Sequence, residues 1–323
     1  MKEGDQLEEK VHQTEHSSRK RNRKKTVSLI FGAMIILTLI VCVGISIFVG
    51  YSMTHPEKKT IEQSPSDYGM AYEDIEFSSR GDGLQLSGWV LKPEETPKMT
   101  VIFSHGYKGN RYEDHIPYLS MAKDLLDKGY RVVMFDFRYA GESDGDMSTI
   151  GAKEQFDLLG AIDYVNERYD EPIGLLGISM GASTSLLAAS QAEDVIGVVA
   201  DSPFSDLEEY LKVNLPVWSN LPNFPFTPLI LTLVPMISDL DPKNASPISV
   251  LGDIAPRRVL FIHNKEDDAI PYTESKKMAE KNPEKFKLWL PDGEGHVKAY
   301  KQNKDEYIKK VDTFFEASLE EAS

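Results

Sequence analysis

The chain has 323 residues, with 36 Lys and Arg against 51 Asp and Glu, for a net charge of −15. That length allows one large domain with appendages or two small ones, and the single cysteine excludes an intrachain disulfide. The acidic balance argues against nucleic acid as a partner, and a solvated soluble surface is enough to explain it.

Residues 1–25 form a polar tail with a net charge of +3, which leaves −18 for the rest of the chain. The tail ends in the basic run Arg19, Lys20, Arg21, Arg23, Lys24 and Lys25. An uncharged, mostly apolar run follows over 26–51, long enough to span a hydrocarbon core of roughly 30 Å as a helix. A cleavable signal would have a shorter apolar region and a small-residue cleavage site, and the stretch ending in Phe48, Val49, Gly50 and Tyr51 offers a poor one. Cys42 lacks the preceding small residue of a lipoprotein signal and reads as a lipid-facing or packing residue. A signal-anchor is therefore expected. Six cations lie just before the run and only Lys58 and Lys59 close after it, which places the tail in the cytoplasm and the large C-terminal part outside. Membrane lipids are then partners through the anchor.

Residues 52–70 are polar, contain Pro56 and Pro65, and read as a linker. As a flexible coil it would reach about 25 Å, keeping the domain at 71–323 near the membrane. Within that domain, 74–79 and 84–91 flank the turn Gly81-Asp82-Gly83 and read as a hairpin. Apolar strands are expected over 100–104, 131–135, 173–178, 195–200, 258–262 and 286–290. Helices are expected where apolar residues recur at helical spacing: Tyr118 to Leu126 closed by Gly129, Leu158 to Val165, the small-residue run after Ser179, and Tyr307 to Phe315. Strands alternating with helices imply an α/β fold, a mostly parallel sheet covered on both faces.

One segment breaks the alternation. Residues 203–250 are rich in proline and large apolar side chains, among them Trp218, Phe224 and Phe226. They read either as a pair of buried helices or as a lid forming an apolar acyl pocket, and both can hold.

The pentapeptide Gly177-Ile178-Ser179-Met180-Gly181 lies between an apolar strand and a small-residue helix. That context suits a nucleophile elbow, in which a strained turn lifts a serine hydroxyl above the sheet edge and flanking β-carbons would collide with the turn. With it go the runs 105–111 (from His105-Gly106-Tyr107), 136–143 (from Asp136), 263–271 (from His263) and 293–296 (Gly293-Glu294-Gly295-His296). Together these stretches resemble the α/β-hydrolase superfamily, near its bacterial esterase and S9/S33-peptidase-like serine hydrolases. The resemblance covers 71–323, and the anchor lies outside it. It implies a mostly parallel central sheet with helices on both faces and a helical lid insertion.

In that fold the triad runs serine, acid, histidine. Ser179 is the expected nucleophile. Of the seven histidines only His263 and His296 follow it. His296 lies in a glycine-containing loop after the last strand and is the expected base, with His263 a structural residue at a strand end. The acid lies in Glu266-Asp267-Asp268, and the family pattern H-G-x-x-D-x-x-V-P implies Asp267, with Asp268 the runner-up. Asn264 stands where that pattern has glycine, and asparagine tolerates the positive backbone angle. Backbone N–H groups of Met180 and, by the resemblance, Tyr107 would form the oxyanion hole. Residues 136–145 read as turn structure. No cofactor is implied, and no cluster has metal-ligand spacing. The expected activity is hydrolysis of a carboxylic ester of a small acyl substrate. A thioester, or a peptide with a free N-terminus, is next, and a catalytically inactive binding module is the alternative from another class.

Overall fold

Short apolar runs build the centre of the molecule. In the computed structural model, which describes residues 3–113 and 115–322, eight strands form one sheet: β1 (Tyr72–Ser78), β2 (Gln85–Leu91), β3 (Met99–Ser104), β4 (Tyr130–Phe135), β5 (Ile173–Ile178), β6 (Val195–Asp201), β7 (Arg258–Ile262) and β8 (Phe286–Trp289). β3, β4 and β5 are buried along their whole length, as strands covered on both faces must be. The spatial order is β1-β2-β4-β3-β5-β6-β7-β8. β2 is antiparallel to both its neighbours, and the pairings from β4 through β8 are parallel. The mostly parallel sheet expected from the alternation is what the chain forms.

Before the sheet runs α1 (Glu3–Thr54). The helices after it are α2 (Tyr118–Leu126), α3 (Glu154–Asn166), α4 (Met180–Ala189), α5 (Leu207–Ser219), α6 (Asn223–Ile237), α7 (Pro247–Ile254), α8 (Thr273–Ala279), α9 (Ala299–Gln302) and α10 (Lys304–Ala322). Two apolar clusters result, one on each face. Leu158, Leu186 and Phe261 belong to the first, with α3 and α4. Leu119, Tyr307 and Phe315 belong to the second, with α2 and α10. α4 is wholly buried, so its hydroxyls are satisfied internally: Ser183 donates to the Phe204 carbonyl, Thr184 to Met180 and Ser185 to Gly181. α8 was not anticipated, because only Ser275, Met278 and Ala279 of its seven residues are buried and no apolar period shows.

Register sets the site. Ser104 pairs with Gly177, Ile178 with Asp201, Asp201 with Ile262 and Ile262 with Trp289. The C-terminal ends of β3, β5, β6, β7 and β8 therefore lie in a row, and every loop carrying an expected site residue leaves from that row.

The N-terminal region is one continuous helix, within which Asn22–Thr54 is long and apolar enough to cross a membrane. Its large apolar side chains, Leu29, Phe31 and Ile40 among them, are exposed. The last turns pack on the 203–250 segment. A β-carbon on Gly50 would overlap Val234 Cγ2 of α6, so the absent side chain is what lets the two helices meet. After Thr54 the chain has no helix or strand until a 3-10 turn at Pro65–Tyr68, yet it is pinned. The Thr54 carbonyl accepts from Ser148 N at 2.8 Å, Lys58 Nζ donates to the Ser143 carbonyl at 3.0 Å, and the Asn110 amide donates to the Lys59 carbonyl at 3.1 Å. Polar composition alone suggested a flexible coil here; long-range bonds from the domain hold it instead.

Gly50→Leu is expected to force α1 and α6 apart, lowering stability by about 1–3 kcal/mol through overpacking. Adding Val234→Ala should recover much of the loss. Thermal melting of the detergent-solubilised chain checks this, and an unchanged melting temperature in Gly50→Leu would mean that the helix is not seated on the lid.

Candidate active site

At the end of β5 the backbone reverses sharply into α4, and Ser179 takes φ 55° and ψ −119°. A side chain with positive φ is strained, and the surroundings must hold it there. Ser179 N donates to the Asp201 carbonyl at the end of β6 at 2.8 Å. The flanking glycines serve close approach. A β-carbon on Gly181 would overlap the Ser104 carbonyl, and one on Gly177 would stand 2.6 Å from Ala182 Cα. Only glycine lets α4 begin this close to β3 and β5.

The hydroxyl raised by this turn meets a histidine. His296 lies in the loop after β8, and its Nε2 is 2.8 Å from Ser179 Oγ. Its Nδ1 is 2.7 Å from Asp267 Oδ2. Asp267 sits in the loop after β7, its side chain shut off from solvent while that of His296 stays partly open. The structure thus brings the three residues expected at 179, 267 and 296 into one hydrogen-bonded chain. Burial pushes the Asp267 carboxyl up, but bonds from His263, His296 and the Ile270 backbone together hold it well below the usual carboxylate range. Its other oxygen accepts from Ala269 N at 2.9 Å and Ile270 N at 2.8 Å. A carboxylate so held stays ionised and orients the ring through Nδ1–H, with Nε2 turned to the Ser179 hydroxyl.

Asp268 also touches His296, at a different atom. Its Oδ1 accepts from the His296 backbone N at 3.1 Å, fixing the loop while Asp267 faces the ring. His263 is more than a strand-end residue. It is fully buried, its Nδ1 accepts from the Ser275 hydroxyl at 2.8 Å, and its Nε2 lies 2.8 Å from the Ile270 carbonyl and 3.3 Å from Asp267 Oδ2. Nε2–H faces two acceptors there, so His263 positions the acid from behind. The sequence signal for it was its place four residues before the acid.

The loop after β3 supplies the other side of the site. A β-carbon on Gly106 would stand 3.6 Å from Ser179 Cβ, which puts the backbone leading into Tyr107 against Ser179. Met180 opens α4, and the first N–H groups of a helix have no partner within it. His105 fixes this loop. Its Nδ1 donates to the Gly106 carbonyl at 2.8 Å and its Nε2 accepts from Phe137 N at 3.0 Å. Burial drives its pKa down to about 4, with the Gly106 carbonyl pulling the other way. Next to it, the buried Asp136 carboxylate accepts from Arg111 N at 2.6 Å and Glu142 N at 2.9 Å and pairs with the Arg111 guanidinium. The stretch read as turn structure is thus tied to the loop at 105–111.

A cleft of about 590 Å³ opens beside Tyr107 and Lys108, and Leu215, Trp218 and Ser219 of α5 form one wall. Of the three lid residues singled out, Trp218 lines this cleft. Phe224 does not; it is 82% exposed on the outer surface. Phe226 is half-buried against the main core. Side-chain direction separates them, and the proline-rich sequence gives no regular period from which to read it. The 203–250 segment is tied to the loop after β7, since Tyr210 of α5 donates to the Ala269 carbonyl two residues after Asp267.

Residues 100–225 match the family model described as the alpha/beta hydrolase fold. A Pyrococcus furiosus esterase of known structure is 26% identical, with a TM-score of 0.68 over 81% of this chain and 98% of that one. This chain has the α/β-hydrolase fold. Among curated proteins, YqkD of Bacillus subtilis is 27% identical over 90% of this chain and 97% of its own length. The lysophosphatidylserine lipase of Xenopus tropicalis is 26% identical over 59% of this chain, which spans about half of that protein.

Two outcomes follow. Asp267→Asn should lower kcat/KM on a p-nitrophenyl ester at least about 10²-fold more than Asp268→Asn, because only Asp267 faces the ring; the reverse order would make Asp268 the ring's partner. The second concerns pH. The folded state holds His105 neutral down to about pH 4, whereas an unfolded histidine gains its proton near pH 6.5. Stability from this site is complete above about 6.5 and drains away as pH falls towards 4. His105→Gln lacks that linkage, so its stability gap from the wild-type chain should narrow by about 2–3 kcal/mol between pH 7 and pH 4. Melting curves across that range check it, and a constant gap would contradict it.

Proposed function

We propose that the chain is a membrane-anchored serine hydrolase that cleaves a carboxylic ester through an acyl-enzyme. The observation that carries this reading is the continuous hydrogen-bonded chain from Ser179 Oγ through the His296 ring to the buried Asp267 carboxylate. Ser179 Oγ bonds to the acyl carbon while its proton passes to His296 Nε2. The negative charge moves to the carbonyl oxygen, where the N–H groups of Met180 and Tyr107 receive it. Collapse breaks the ester C–O bond, and the leaving alkoxide takes the proton back from His296. Water then attacks the acyl-Ser179 ester and gives a proton to His296; as the acyl C–O bond to Ser179 breaks and the acid leaves, His296 returns that proton to Ser179 Oγ. Asp267 stays ionised and stabilises the imidazolium. The Pyrococcus furiosus esterase and the Xenopus tropicalis lipase support ester hydrolysis, and the cleft beside Tyr107 suits a small-molecule acyl group.

The anchor reading rests on Asn22–Thr54 and on the cation bias before it. It places the N-terminus in the cytoplasm and the catalytic domain outside.

Ser179→Ala is expected to lower turnover of a p-nitrophenyl ester on the order of 10⁴-fold or more and to abolish labelling by a fluorophosphonate, with the melting temperature retained. Undiminished turnover in that variant would end the assignment.

A further inference from the structure

The helix at the N-terminus reaches into the cleft. Phe48, Val49, Ser52 and Met53 of α1 line it together with Tyr107 and with Leu215 and Trp218 of α5. The contact is specific: the Tyr107 phenol donates to the Met53 carbonyl at 2.6 Å. Thus the residue after Gly106, whose backbone lies against Ser179, is tied by its side chain to the last turn of the apolar helix.

Depth follows from helix geometry. At 1.5 Å per residue, about 20 residues cross a hydrocarbon core of roughly 30 Å. Counted from Thr26, that core ends just before Phe48, so the cleft lies at the level of the lipid headgroups. The lid beside it carries an outward apolar surface: Val213, Val217, Trp218, Met236 and Ile237 are exposed. A surface of that kind on a domain held against a spanning helix has the outer leaflet as its natural cover. Tryptophan at the rim is the side chain enriched at that depth.

We infer that α1 is a wall of the substrate site, and that the substrate is a single-chain acyl amphiphile whose chain slides from the outer leaflet into the cleft between α1 and α5, bringing its ester to Ser179 at headgroup level. This rests on the anchored-hydrolase reading above. It goes further in making the anchor a determinant of acyl-chain selection, where a tether would only set location. The docked Gly50–Val234 contact and the Tyr107–Met53 bond hold the wall in place.

The test uses the full chain in liposomes. Ser52→Trp narrows the cleft from the α1 side at an exposed position, and Ile40→Trp adds the same bulk further down the same helix, away from the cleft. The readout is the ratio of kcat/KM on a dodecanoyl ester to that on an acetyl ester. That ratio should fall about 10-fold or more in Ser52→Trp and stay at the wild-type value in Ile40→Trp. An unchanged ratio in Ser52→Trp, or an equal fall in both variants, overturns the inference. Depth is read separately, by tryptophan quenching with lipids brominated near the headgroup end of the chain. The wild-type chain should show a quenched component that Trp218→Phe loses, and equal quenching in the two overturns the inference. A wild-type chain that turns over no ester of any length would instead defeat the hydrolase reading, and the quenching result would still decide where the cleft lies.

Discussion

Everything at the site hangs on the close approach of α4 to β3 and β5. The Ser104 carbonyl occupies the space a side chain at Gly181 would need, and the Gly181 carbonyl crowds Gly177 in turn. That contact forces the chain to reverse within one residue, which is why Ser179 adopts a backbone angle unfavourable for a side chain. A backbone strain of this kind costs of order 1–3 kcal/mol. The Ser179–Asp201 backbone bond, the buried hydroxyls of α4 and the apolar clusters on both faces offset it. In return the hydroxyl stands above the sheet edge, where loops from β3, β7 and β8 converge.

The second constraint is electrostatic. A carboxylate removed from solvent would ordinarily take up a proton. Asp267 avoids this because its environment is made of donors: two backbone N–H groups on one oxygen, and two imidazoles near the other. His263 and Ser275 form the outer part of that arrangement, so the charge that steadies His296 depends on residues that never face the cleft. His105 works in the opposite sense in the loop after β3, where burial keeps a ring neutral so that it can bridge two backbone groups.

Much of this was legible in the residues. The strands showed because their apolar runs are short and bounded by glycine, proline or charge, and the order serine, acid, histidine came with the resemblance to the α/β-hydrolases. Asp267 and Asp268 are neighbours of equal chemistry, so the pattern could rank them but could not reveal that both hold His296, one at the ring and one at the backbone. Side-chain direction in the lid was not legible either, because prolines at 216, 225, 228 and 235 interrupt any period, and Trp218, Phe224 and Phe226 went three different ways. The seating of α1 on α6, and the bond from Tyr107 to Met53, join residues far apart in the chain. Such contacts depend on tertiary packing and leave no local signal, so a segment of polar composition looked like a free tether.

The most direct measurement is peptide mapping of the chain quenched during turnover of a slowly hydrolysed p-nitrophenyl ester. The account predicts an acyl group on the peptide carrying Ser179, accumulating in step with the burst of nitrophenol and absent when the chain is unfolded before substrate is added. An acyl group on any other residue, or steady turnover with no covalent species, would contradict it.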